Sequence, residues 1–283
     1  MNTCQLDYQR FTSRAWRHWV IACVAILFSA NPVQAEFGQQ GEPTTQPVLT
    51  SQAKLEPSAA RQRVESQITA IRESKPPSLS VGTLRSGQLA HPAELPKPEG
   101  IGYVISHPDR DTNFGADRMV FGLMRLGVTM HEHLGDESIH RMLVNEISDP
   151  DGGKQKRHIN HQMGLDVDIC FYASDLDGKP LRARWLSFDE KGLSPAKKLR
   201  FDTTRNWLLL ESILSSDTFG DIRAVLVSEP LKKRLLNHAM SLEEKATGVE
   251  AERLREHIRR AMALCRQPKS SPHDNHFHLS LEN

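Results

Sequence analysis

The sequence predicts an α+β domain, and three observations point to it. Two short segments alternate strictly between apolar and polar residues, Gly164-Leu165-Asp166-Val167-Asp168-Ile169 and His276-Phe277-His278-Leu279-Ser280-Leu281, as half-buried strands do. Several longer stretches between and before them carry helical spacing instead. Helices and strands are mixed along the chain, and strands near the middle and the end must pair across the domain. With 283 residues the chain is long enough for one or two domains and a stable core.

Taken in order, residues 1–35 read as a secretory signal peptide. Arg10, Arg14 and Arg17 precede an apolar run from Trp19 to Phe28, and Val33-Gln34-Ala35 supplies the small-residue cleavage pattern before Glu36. The run is too short to span a bilayer comfortably, so no stable membrane span is expected after cleavage, and the mature chain is placed in the periplasm. Removing the signal takes Arg10, Arg14, Arg17 and Asp7 and leaves 33 basic and 34 acidic residues, a net charge of −1. Residues 36–78, rich in Pro, Gln, Ser and Thr, read as a disordered tether, with a short helix at Ala59 to Glu73 suggested by Val64, Ile68 and Ile71.

Residues 79–283 form the folded part. Met119 to Leu134 has helical spacing, although Gly122 and Gly127 interrupt it. Met142 to Ile147 reads as a strand that Asp149-Pro150-Asp151-Gly152-Gly153 ends in a turn. Trp207 to Leu214 is a helix, Ile222 to Val227 a buried strand, and Leu231 to Met240 and Glu250 to Leu264 two more helices.

Composition limits the partners. Lys and Arg number 36 against 35 Asp and Glu, so no general field draws in nucleic acid or an anionic membrane, and recognition must be local. Four cysteines cannot make a disulfide-built scaffold; Cys170 and Cys265, which remain after signal removal, are open to reading as a disulfide or as two buried thiols. Thirteen histidines are more numerous than usual.

In the first alternating segment Asp166 and Asp168 share one face; in the second, His276, His278 and Ser280 do. If the two strands are neighbours, carboxylates and imidazoles converge over one sheet face, within reach of His161. Imidazoles with one carboxylate are a donor set that zinc takes in open catalytic sites, while a free His or Glu handles the proton. Bland readings stand beside this one. A lone His-x-His is often a satisfied pair, Asp166 and Asp168 could pair with Arg182 and Arg184, and Cys170 could lie near the site without ligating.

The run from His158 through Ile169, with His273-Asp274-Asn275-His276-Phe277-His278, closely resembles the penicillin-insensitive murein endopeptidases, relatives of lysostaphin-type and D-Ala-D-Ala dipeptidase zinc enzymes. The likeness extends to Ser80-Val81-Gly82 with Gly87, to Glu146-Ile147-Ser148 and to Val225-Leu226-Val227. It implies a single catalytic domain whose mainly antiparallel sheet carries a Zn2+ site. By the same resemblance His161, Asp168 and His278 are the metal ligands, His276 is the base, and His273 and His158 are further catalytic groups, with Asp166 orienting a ligand. The implied activity is hydrolysis, by metal-activated water, of peptidoglycan cross-links between D-alanine and meso-diaminopimelate, insensitive to β-lactams. A related zinc carboxypeptidase or amidase acting on muropeptides is the alternative, and a non-catalytic wall-binding protein the remaining one.

Overall fold

The computed structural model describes residues 57–156 and 158–283, so the expected signal peptide and the first part of the expected tether lie outside the described residues. Those described belong to one unit, Lys54–Asn283. In chain order its elements are α1 (Ala59–Ser74), β1 (Leu79–Thr83), β2 (Ser86–Ala90), β3 (Ala93–Glu94), β4 (Glu99–Gly100), β5 (Tyr103–Ile105), β6 (Phe114–Gly115) and α2 (Asp117–Leu134). They continue as β7 (Met142–Val144), β8 (Asp166–Cys170), β9 (Ala173–Asp175), β10 (Pro180–Leu181), β11 (Leu199–Phe201), α3 (Thr203–Leu214) and α4 (Ser216–Phe219). The last are β12 (Ile222–Leu226), α5 (Glu229–Glu243), α6 (Gly248–Leu264), β13 (Cys265–Arg266) and β14 (His276–Leu281).

The organising sheet has seven strands in the order β13-β12-β14-β8-β7-β5-β4. The β12–β13 and β5–β7 pairs are parallel and the other four antiparallel, so the sheet is mainly antiparallel and the fold is α+β, as the sequence predicts. β14 and β8 lie side by side at its centre, with His278 opposite Asp168 and Ser280 opposite Asp166. Their apolar face, formed by Val167, Ile169, Phe277, Leu279 and Leu281, joins the core that contains the buried residues of α2 and α3.

Local chemistry explains the main helices. α2 is buried nearly all round, from Met119 to Met130, and stops where Gly135, at φ 92°, donates its N–H to the carbonyl of His131. The two glycines that interrupt its pattern sit where neighbours approach closely: a Cβ at Gly122 would lie 2.3 Å from the Phe219 ring, and one at Gly127 2.3 Å from the Ile101 carbonyl oxygen. α3 begins at Asp202, whose side chain accepts from the Arg205 N–H at 3.1 Å. The expected strand at Met142 to Ile147 is shorter than its apolar pattern. Beyond Val144 the chain leaves regular pairing, with the Ile147 N–H turned to the Thr112 carbonyl at 2.7 Å.

Part of the expected tether is folded. Ser58 caps α1 through the Arg61 N–H, and Val64 and Ile68 are buried in the common core. Arg125 grips Glu65 through two hydrogen bonds of 2.7 and 2.8 Å, and Lys75 pairs with Asp117 at 2.6 Å. These ion pairs are partly exposed and contribute little, so apolar burial does most of the holding. The folded body therefore takes in residues 59–74, which are too polar overall to advertise it. Among the described residues no helix is long and apolar enough to cross a membrane. Cys170 and Cys265 are both buried and free, which decides between the two readings of that pair. Ile68→Ala is expected to lower unfolding free energy by about 2–5 kcal/mol, measurable by denaturant titration.

Candidate metal centre

β8 puts two carboxylates into the middle of the sheet, with Asp166 0% and Asp168 1% exposed. Buried carboxylates need positive or hydrogen-bonding partners. β14 supplies the first. His278 donates from Nδ1 to Asp168 Oδ1 at 2.9 Å and from Nε2 to Asp166 Oδ1 at 3.1 Å, so each side of its ring meets a carboxylate. Two residues along the same strand face, His276 brings Nε2 to 3.4 Å from Asp168 Oδ1. Its Nδ1 donates to Asn275 Oδ1 at 2.5 Å, which fixes the ring with Nε2 facing Asp168 across the site.

The loop before β8 supplies two more imidazoles. His161 takes a left-handed backbone, φ 65°, and donates from Nδ1 to the Ile147 carbonyl at 2.8 Å. Its Nε2 is buried, has no hydrogen-bond partner, and lies 3.4 Å from Asp168 Oδ1. His158 hydrogen-bonds through Nε2 to the buried Glu146 carboxylate, whose other oxygen accepts from Arg110 at 3.1 Å. The His158 Nδ1 lies 4.0 Å from Asp168 Oδ2. From the loop before β14, His273 (φ 46°) stands with ring centroids 5.0 Å from His276 and 5.7 Å from His278. Left-handed backbone at a residue other than glycine costs on the order of 1 kcal/mol, and here two of the converging histidines adopt it.

Charge is sharply divided among these groups. Burial disfavours a charged His278, yet its hydrogen bonds to Asp166 and Asp168 outweigh that and raise it to about 10. Burial likewise opposes ionisation of Asp168, but His161 and His276 beside it hold the carboxyl well below its usual range. His273 goes the other way, pushed down to about 4 by burial and then by His276.

All six residues expected from the sequence, His158, His161, Asp168, His273, His276 and His278, converge. Ligand-capable atoms fall within 4.8 Å of one another in two groups, His158 with His161 and Asp168, and His273 with His276 and His278. They line a cleft of about 690 Å³ open to solvent. Asp166 touches His278 behind the cleft. Arg182 instead donates to Ser138, and neither it nor Arg184 is an ion-pair partner of the two aspartates. Cys170 is buried, and burial pushes its thiol up, so it is poorly suited to ligation.

The structure adds residues that sequence reasoning does not reach. Trp185, 47% exposed, stacks on His276 with centroids 4.6 Å apart and planes 17° from parallel. It lies in an irregular segment without periodicity, so nothing marks it. That segment is fastened to the His273 loop by Ser187 Oγ donating to Asp274 at 3.0 Å and the Phe188 N–H donating to the Asp274 carbonyl at 2.9 Å. Glu146, which holds His158, and Asn275, which sets the His276 tautomer, sit inside quoted motifs, but their contacts depend on the fold.

The donor set suits a cation: an inward, buried and unpartnered His161 nitrogen, a buried carboxylate, and imidazoles whose outer nitrogens are already engaged. Fold and site together place a candidate metal centre on the central strands of an α+β domain. The sequence model of the family described as penicillin-insensitive murein endopeptidase matches residues 80–243, more than half of the chain. The protein belongs to that family. A relative in Haemophilus influenzae, named penicillin-insensitive murein endopeptidase, is 32% identical over 114 residues, covering 40% of this chain and 37% of that protein. The family match includes His158, His161 and Asp168 but stops before His273, His276 and His278, whose place in the site comes from the β8–β14 pairing.

His278 in the metal-free protein is expected to stay protonated well above the ordinary imidazole range, as a nitrogen-15 NMR titration would read. Its folded pKa lies above its unfolded one, so its contribution to stability is complete below about pH 6.5 and is lost as pH rises toward about 10. A titration midpoint near 6.5 would contradict the two-carboxylate clamp.

Proposed function

We propose that the protein is a zinc-dependent murein endopeptidase, exported to the periplasm, that hydrolyses D-alanyl to meso-diaminopimelyl cross-links of peptidoglycan. The observation that carries this reading is the His161 Nε2, buried and unpartnered beside Asp168 while Nδ1 is committed to the Ile147 carbonyl. Such a nitrogen is a ligand waiting for a cation. In this reading His161, Asp168 and His278 hold zinc, which supplies a Lewis acid that acidifies water and polarises a carbonyl.

The chain's own groups do the rest. Asp166 keeps one nitrogen of His278 engaged, so the ring presents the other to the ion. His276, with Nδ1 on Asn275 and its face against Trp185, offers Nε2 to take a proton from the attacking water and to return it to the leaving amine. His273, neutral because its pKa is low, can donate one hydrogen bond across the cleft without adding charge. His158 is anchored by Glu146 on the opposite wall. No serine acyl-enzyme enters this chemistry, which accounts for the expected insensitivity to β-lactams.

Digestion of purified cross-linked peptidoglycan, with products resolved by mass spectrometry, tests the reading. Dimeric muropeptides should disappear as monomers accumulate; trimmed stems or freed glycan strands would instead indicate a carboxypeptidase or an amidase, and no change a binding protein. His161→Ala and His278→Ala should lower bound zinc, whereas His276→Ala should keep it and lose about 10²–10⁴ in turnover. Full zinc and normal turnover in His161→Ala would sink the ligand assignment. Because uptake must expel the His278 proton, zinc affinity should rise with pH across neutrality.

A further inference from the structure

The cleft does not end at the converging histidines. A second depression of about 420 Å³ continues from it, and the two share Arg85, His158 and Ile159 in their walls. The rest of the second depression is formed by Lys154, Gln155, Lys156 and Gln162. Three cations therefore meet there from two separate segments. Arg85 occupies the two-residue turn between β1 and β2, and Lys154 and Lys156 follow the Gly152-Gly153 turn.

Their convergence is built into the fold. The β1–β2 hairpin is hydrogen-bonded to the loop that carries the lysines: Leu89 N–H to the Asp151 carbonyl at 3.0 Å, Gly87 N–H to Gln162 Oε1 at 3.3 Å, and Ser80 Oγ to the Met163 carbonyl at 2.8 Å. All three cations are exposed, and among the described residues none has a carboxylate at ion-pair distance. Other surface cations, such as Arg125, Arg141, Lys97 and Arg253, do have carboxylate partners. Ile159, 65% exposed, stands where the two depressions join. An apolar residue beside unpaired cations, next to a peptidase cleft, matches a peptide that is both acidic and rich in small apolar side chains.

We propose that Arg85, Lys154 and Lys156 form a carboxylate-binding subsite that holds acidic groups of the substrate peptide while the bond to be cut lies over the histidine cluster. The subsite rests on the murein-endopeptidase reading, because a cross-linked peptidoglycan stem is an acidic peptide built largely of alanine. It determines specificity and takes no part in bond breaking. Ile159 packs against an alanine methyl at the junction, and the cations fix which part of the stem extends away from His158.

Two synthetic cross-linked stem-peptide dimers test this, one with free carboxylates and one with the same groups amidated. At low salt the full-length, zinc-loaded wild type should cleave the free-carboxylate dimer with a kcat/KM about tenfold above that of the amidated one, each cation accounting for about twofold. The variant carrying Arg85→Gln, Lys154→Gln and Lys156→Gln should lose that preference; the three side chains are exposed, so the fold tolerates their exchange. Added salt should shrink the wild-type preference in the same direction. Equal cleavage of both dimers by the wild type, or a triple variant that keeps the preference, overturns the subsite and leaves the endopeptidase reading standing. Cleavage of neither dimer by the wild type overturns that reading, and the subsite with it.

Discussion

Two carboxylates buried at the centre of a sheet impose the constraint on which the site depends. Asp166 and Asp168 are almost wholly removed from water, and neither could remain ionised there without partners. The nearest imidazoles answer that requirement. His278 sits opposite Asp168 in register and spans both aspartates, while His161 and His276 approach Asp168 from either side. Removing one partner would leave charge buried and uncompensated, which costs more than keeping the whole set.

The period of two along β8 and β14 separates structural from chemical work. Val167, Ile169, Phe277, Leu279 and Leu281 face the core, and the residues between them face the cleft. A slip of one residue would exchange the two sets, so the buried face that stabilises the sheet also enforces the positions of the polar groups. The ring orientations are set from behind. Ile147 offers a carbonyl to His161, Asn275 an amide oxygen to His276, and Glu146 a carboxylate to His158. A histidine with one nitrogen committed in this way has a defined tautomer for the other.

The walls of the cleft have a different origin. Trp185 and Ser187 come from the irregular stretch after β10, Arg85 from a hairpin turn, and Lys154 and Lys156 from the loop before β8. The sheet thus carries the converging aspartates and two of the histidines, and the loops carry the outer walls of the cleft. Arg205 stiffens one of these stretches, with hydrogen bonds of 2.6 and 3.0 Å to the carbonyls of Ala173 and Leu181. Loops held to a rigid frame in this way can vary without disturbing the placement of the histidines and aspartates.

Much of this was legible in the residues themselves. Alternation in Leu165 to Ile169 and Phe277 to Leu281 is a local property, so the two polar faces, the α+β class and the main helices could be read from spacing alone. The set of six converging residues came instead from the resemblance of their motifs to a known family; parity alone offered Asp166, Asp168, His276 and His278, with His161 in reach, and only on condition that the two strands are neighbours. Tertiary structure decided the rest. That β14 pairs with β8 across 110 residues of separation is a long-range event with no local signal, and it alone brings His278 onto Asp168. The same holds for Trp185 on His276, for α1 in the core, for the free thiols of Cys170 and Cys265, and for the meeting of Arg85 with Lys154 and Lys156. Each depends on distant segments packing together, and sequence periodicity records only what a residue's near neighbours require.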